Sequence, residues 1–275
     1  MKREQALRRQ LGLLHMLGDA IEAVKSLSAH HLRLARRALE PARTYRSGID
    51  DVLAAVGISQ AAQPSLVPAV LLLAADLGLC DGYGQRLVAS ALARPQVAVG
   101  PFYCVGHRPL PALRRAGVDP ARCYDTPTSV DGLARLLLSL ADDVLGDYLE
   151  GRFGMLVVVS ARFEGVGAFT PTATQVLPIA SSKPSAPLVA APYISSGSLV
   201  RAAGREYLYC TLFELLLDAL ASEHGTRLVA TQSAGSWLDE EMSGLQRQLA
   251  AVRQEASTQE VLDVASGARM RKHAR

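Results

Sequence analysis

An α/β fold is predicted, with two long helices flanking a small parallel sheet. Three features predict it: a helical apolar period from Glu4 to about Val56, a strand-helix-strand-helix-strand order in the middle, and a second long helical period after Gly204. The expected parts are a helix at 1–57, an α/β domain at 58–204 and a second helix at 205–275.

The first segment contains Pro41 as its only proline, and Leu7, Leu11, Leu14, Leu17, Ile21, Val24 and Leu27 recur with helical spacing. Unbroken, it would be ~80 Å long at 1.5 Å per residue, too long to bury inside one small domain. Ten Lys/Arg against four Asp/Glu in residues 1–46 make its exposed face positive. Gln60, Gln63, Pro64 and Pro68 then mark a linker.

Ala69–Ala75 is an apolar run of strand length, followed by the glycine-bearing turn Gly78–Gly84 and a helical stretch to about Ala93. Val97–Val105 is a second apolar run. Thr128–Tyr148 is amphipathic with capping residues at its start, and Met155–Val159 reads as a third buried strand. This order implies right-handed crossovers and parallel pairing. Thr170–Ile179 alternates weakly, as an edge strand does, and the proline-punctuated Ser181–Pro192 reads as a surface loop.

In the last segment Leu238, Met242, Leu245, Leu249, Val252 and Ala256 follow a 4-3-4-3-4 spacing, the seam of a coiled coil. Unbroken to about Lys272, this helix would be ~100 Å long.

Hydrophobic content of 49% is ample for a buried core, and a net charge of +3 gives no support to a nucleic-acid role. Cys80, Cys104, Cys123 and Cys210 show no metal-ligand spacing and are expected to be free thiols in a reducing compartment. The longest apolar run, Val67–Ala75, is half a membrane span, so no direct membrane insertion is expected.

The turn glycines Gly78, Gly82 and Gly84 do not make GxGxxG, and GxxxxGK[ST] and GxSxG are missing. Asp142-Asp143 and Glu240-Glu241 lie on helical patterns as solvated faces, and the adjacent His30 and His31 project about 100° apart on a helix, poor for a metal. The expectation is no catalytic residue, no cofactor and no metal.

Two motifs on the last helix carry a resemblance. Ala221-Ser222-Glu223-His224 with Arg227 and Ala230 matches ASEHxxRxxA, and Arg253 through Ala268 matches RQxxxTQExxxxxSGA without a gap. Asp76–Gly84 is similar to DRGLCGGYN, and Ala23–Ala35 to AMKMVAAAKLRRA. These motifs and the order of parts resemble the gamma subunit of F-type ATP synthases, over essentially the whole chain. Departures fall at Asp19 and Glu22, where the family is basic, and at Gln232–Leu238, where it has KNATDNA.

The resemblance implies an antiparallel coiled coil of the terminal helices beside a Rossmann-like domain that binds no nucleotide. It implies a rotor coupling ion flow through a membrane ring to catalysis on beta subunits, peripheral to the cytoplasmic face of a prokaryotic plasma membrane. Implied partners are an alpha and beta subunit hexamer, an epsilon-type subunit and the membrane c-ring. Arg253, Gln254, Thr258, Gln259 and Glu260 become the expected contact with a beta-subunit loop, against the plainer reading that Arg253 pairs within the chain. The basic tail from Arg269 extends past the family motif and is expected to fray. A coiled-coil adaptor with a non-catalytic α/β domain fits the same pattern, since fold does not fix function.

Overall fold

The computed structural model describes residues 2–56, 67–179 and 196–273. Their elements are α1 (Lys2–Val56), β1 (Pro68–Leu73), α2 (Tyr83–Leu92), β2 (Phe102–Val105), α3 (Leu110–Arg115), β3 (Arg122–Tyr124), α4 (Val130–Leu149), β4 (Met155–Gly165), β5 (Ala168–Leu177) and α5 (Ser196–His273). The chain divides into two compact units: residues 27–230, and residues 1–26 with 231–275.

The larger unit is built on a sheet of order β3-β2-β1-β4-β5. β1, β2, β3 and β4 are parallel, and β5 returns antiparallel on β4 as the edge strand. β1 lies in the middle and is buried on both faces from Ala69 to Leu73, which is why its sequence runs apolar without alternation. On one face Leu71, Leu73, Leu156 and Val158 pack with Leu32, Leu39 and Leu53 of α1, Leu140 and Val144 of α4, and Leu212, Leu216 and Leu220 of α5. On the other, Val70, Leu72 and Val159 meet Tyr83 and Leu87 of α2 and Leu113 of α3. α1 and α5 are antiparallel here, Arg43 bonding Asp218 and Arg46 bonding Glu214.

Several elements differ from the sequence expectation. Only Phe102–Val105 of the second apolar run is strand, because Pro95–Ala98 forms a 3-10 turn. β3 and α3, three and six residues long, are too short to show a period. α5 starts at Ser196, ahead of the boundary set at Gly204, since one glycine costs a long helix only about 1 kcal/mol. Its backbone stays helical to His273, through the segment expected to fray, where Ala, Arg, Met and Lys all favour helix. Most of the linker, the loop at 181–192 and the last two residues lie outside the described residues.

In the smaller unit Leu11, Ile21, Leu238 and Leu245 are buried, and Leu7, Leu14, Val24, Met242, Leu249 and Val252 are half-buried. Leu17 is exposed; a 4-3 step from Leu14 reaches Gly18, which is half-buried. Ala256, assigned to the seam from its spacing, is exposed. Glu4, near the start of α1, bonds Arg253, so among the described residues the seam of α1 with α5 ends close to that level.

Gly100 sets the approach of the turn before β2 to the start of β1: a Cβ there would collide with the Pro68 carbonyl oxygen. Because backbone cannot rotate away as a side chain can, Gly100→Ala is expected to lose at least ~3 kcal/mol in urea unfolding. Gly48→Ala, in an open position on α1, should be neutral or slightly stabilising.

Candidate functional site

On α5 the ASEHxxRxxA residues turn into the larger unit. Ala221, Ser222, Glu223, His224 and Arg227 are all at most 4% exposed, and Ala230 is half-buried. Glu223 and Arg227 stand one helical turn apart and form an ion pair. Arg227 also reaches off its helix, Nε donating to the Gly78 carbonyl at 3.1 Å and Nη2 to that of Leu77 at 3.4 Å. Both carbonyls belong to the turn after β1, where Leu79 takes a positive φ of 58°. The Cys80 thiol donates to the Gly78 carbonyl at 3.3 Å, and burial pushes it up to about 11, leaving a poor nucleophile.

His224 ties the same stretch of α5 to the start of α4. Its Nε2 donates to the Thr128 carbonyl at 3.0 Å, while Nδ1 faces Arg227 Nη1 at 3.3 Å. A carbonyl on one nitrogen and a guanidinium on the other require the neutral, Nε2-protonated ring. Burial, reinforced by the Arg227 charge, lowers it to about 4. His31 of α1 lies against it with ring centroids 5.1 Å apart. Burial pushes the Glu223 carboxyl up, and Arg227 opposes that shift. The motif is therefore a latch of α5 onto two loops of the domain, a role its spacing did not reveal.

The residues assigned to a partner contact lie in the smaller unit. Arg253, Gln254, Thr258, Gln259 and Glu260 are all exposed on α5. Arg253 Nε bonds Glu4 Oε1 at 3.1 Å, and that bond holds the Glu4 carboxyl below its ordinary range. The in-chain pairing of Arg253 thus exists, with the Arg253 side chain still 55% exposed. Thr258 bonds back to the Gln254 carbonyl at 2.8 Å and Gln259 to Asp263 at 3.1 Å, both along the helix. Every residue from 253 to 265 is exposed, with Val261, Leu262 and Val264 at 55–73%. No helix among the described residues is long and apolar enough to cross a membrane.

Two outcomes test the latch. Removing one member of the buried pair leaves the other uncompensated, so Glu223→Gln or Arg227→Met should each lose ~3–5 kcal/mol in equilibrium unfolding, and the double variant less than their sum. The His224 ring titrates lower folded than unfolded. Its contribution is therefore complete above pH 6.5 and is lost as pH falls toward 4, about 3 kcal/mol in all. Stability measured across that window should fall less steeply in His224→Gln.

The family model described as ATP synthase matches residues 4–270. The ATP synthase gamma chain of Desulforamulus reducens is 26% identical over 274 residues, covering 95% of this chain and 96% of its own length. That of Nitratidesulfovibrio vulgaris Hildenborough is 29% identical over 212 residues, 72% of each. In fold, a chain of the Euglena gracilis mitochondrial ATP synthase, in its OSCP/F1/c-ring assembly, superposes with a TM-score of 0.68 at 14% identity, covering 99% of this chain and 95% of that chain. A chain of the rotor from the same enzyme gives 0.63 at 14% identity, covering 92% and 98%. Since the match runs through both long helices and the sheet between them, the chain belongs to the gamma-subunit family of the F-type ATP synthases, a rotor that carries no catalytic site of its own.

Proposed function

We propose that this subunit turns within a ring of alternating alpha and beta subunits, with α5 beyond Arg253 as its contact surface. The observation that carries this is the all-exposed stretch 253–265. A dozen helical residues without a packed face are marginal in water, and three large aliphatic side chains exposed there are suited to burial by a partner. Arg253, Gln254, Thr258, Gln259 and Glu260 supply polar groups beside them for a beta-subunit loop. Because one rotor meets three chemically identical beta subunits at different angles, each contact differs among the three sites. Only a differing contact shifts their nucleotide affinities apart.

The sheet domain is the part we assign to the epsilon-type subunit and the membrane c-ring, on the cytoplasmic face of a prokaryotic plasma membrane. The acidic Asp19 and Glu22 and the altered segment Gln232–Leu238, where the family is basic or carries KNATDNA, support membership of a divergent set of subunits.

The test uses the complex assembled with its alpha and beta subunits. Replacing Arg253 and Gln254 together by Ala removes two contacts of about 1 kcal/mol each, so ATP-driven turnover should fall roughly thirtyfold with assembly intact. Glu4→Gln breaks only the in-chain pair and should leave turnover near normal. A defect in Glu4→Gln equal to that of the double variant would return Arg253 to a purely internal role. Leu245→Ala should instead lower stability, by about 2–5 kcal/mol.

A further inference from the structure

Three turns at the C-terminal ends of the parallel strands each bring one metal-ligating side chain to a common point. Asp76 follows β1, His107 follows β2 and Asp125 follows β3, and their ligand atoms all lie within 4.8 Å of one another. His107 Nδ1 stands 3.2 Å from Asp76 Oδ1 and 3.5 Å from Asp125 Oδ1. Open α/β sheets place their ligands outside the carboxyl ends of the strands. An open cleft of about 790 Å³ begins at this point, lined by His107, Asp125, Thr126, Thr128, Ser129 and Arg135 among others.

The turns that carry these groups are already fixed. Asp76 Oδ1 accepts from the His107 amide and Oδ2 from the Thr126 amide at 2.6 Å. The Thr126 hydroxyl donates to the Ala74 carbonyl at 3.1 Å, tying the turn after β3 to the turn after β1. From α5, Arg227 and His224 hold the same two turns through the carbonyls of Leu77, Gly78 and Thr128. A site on loops held this way loses little further freedom when it takes a ligand. The Asp125 side chain, 95% exposed, needs only a rotation about its own bonds to close on an ion.

Charge and spacing select the ion. Among the described residues neither carboxylate pairs with a Lys or Arg, so the three groups sum to at least one negative charge whether or not the imidazole is protonated. A tetrahedral ion with bonds of ~2.0–2.1 Å sets its donor atoms ~3.3–3.4 Å apart, between the two separations seen here. One imidazole nitrogen with two carboxylates suits Zn²⁺, whereas Mg²⁺ and Ca²⁺ favour oxygen alone.

We propose that Asp76, His107 and Asp125 bind a divalent transition-metal ion of the Zn²⁺ class, one donor from each strand end. Water, or a donor from outside the chain, completes the fourth position. The ion replaces any proton on His107 Nδ1, which passes to solvent. So bound, it staples the turns after β1, β2 and β3 to one another. This site is separate from the contact surface beyond Arg253 and does not depend on the rotor reading.

The experiment titrates the isolated full chain, labelled with ¹⁵N in its histidine rings, with Zn²⁺ and separately with Mg²⁺. Zn²⁺ should move the His107 Nδ1 resonance saturably at one equivalent, with a Kd on the order of 10 μM, weaker than a closed four-ligand site. Asp125→Asn should weaken binding about tenfold, and His107→Gln should abolish it. Because Asp76 also holds two backbone amides, the exposed Asp125 and half-exposed His107 give the cleaner variants. Mg²⁺ should bind at least about a hundredfold more weakly. No saturable shift at His107 below about 1 mM Zn²⁺, unchanged affinity in Asp125→Asn, or equal binding of Mg²⁺ overturns the proposal. Zn²⁺ taken up at His30 and His31 or at the Cys80 and Cys123 thiols, with His107 unmoved, also overturns it.

Discussion

The Arg227 guanidinium is the constraint on which the rest of the domain depends. It is a fixed charge at 2% exposure, and nothing inside a protein tolerates that without full compensation. Glu223 neutralises it, the carbonyls of Leu77 and Gly78 accept from it, and His224 must stay neutral beside it. Those demands fix the path of the turn after β1, the register of α5 against the sheet and, through Thr128, the start of α4. The turn that in a nucleotide-binding domain would be open to a phosphate is instead bonded to a side chain of the last helix.

The same chemistry separates two kinds of polar residue on one helix. Glu223, His224 and Arg227 are desolvated and bonded to backbone, so they hold one arrangement. Arg253 and Gln254 are exposed, and the exposed Arg253–Glu4 bond is the kind that contributes little to stability. The partner contact proposed for Arg253 and Gln254 calls for the second kind, since breaking the first would cost too much on every step.

Much of the fold was legible in the sequence, and what was not has physical causes. The unbroken apolar run of β1 and the amphipathic period of α4 are long enough to declare themselves. β3, at three residues, is defined by its neighbour β2 and not by any local pattern. Leu17 was drawn into the stripe by its hydrophobicity, although the 4-3 period passes through Gly18. Ala256 shows a different limit, because the period of one helix says nothing about where its partner begins. At the site, Glu223 and Arg227 four residues apart within a largely apolar stretch were the visible signal of a buried pair, but their acceptors, Leu77 and Gly78, lie about 150 residues away and leave no trace in spacing.

The pairing of α1 with α5 has a bearing on how the chain is made. Glu4 and Arg253 are 249 residues apart. At about 5–20 residues per second, α1 leaves the ribosome roughly ten to fifty seconds before its partner exists. During that interval Leu11 and Ile21, buried in the finished smaller unit, lack the α5 residues of that unit. Order of synthesis thus leaves an uncovered apolar stripe on the first helix, the kind of surface that makes a partly made chain prone to aggregate until its last segment arrives.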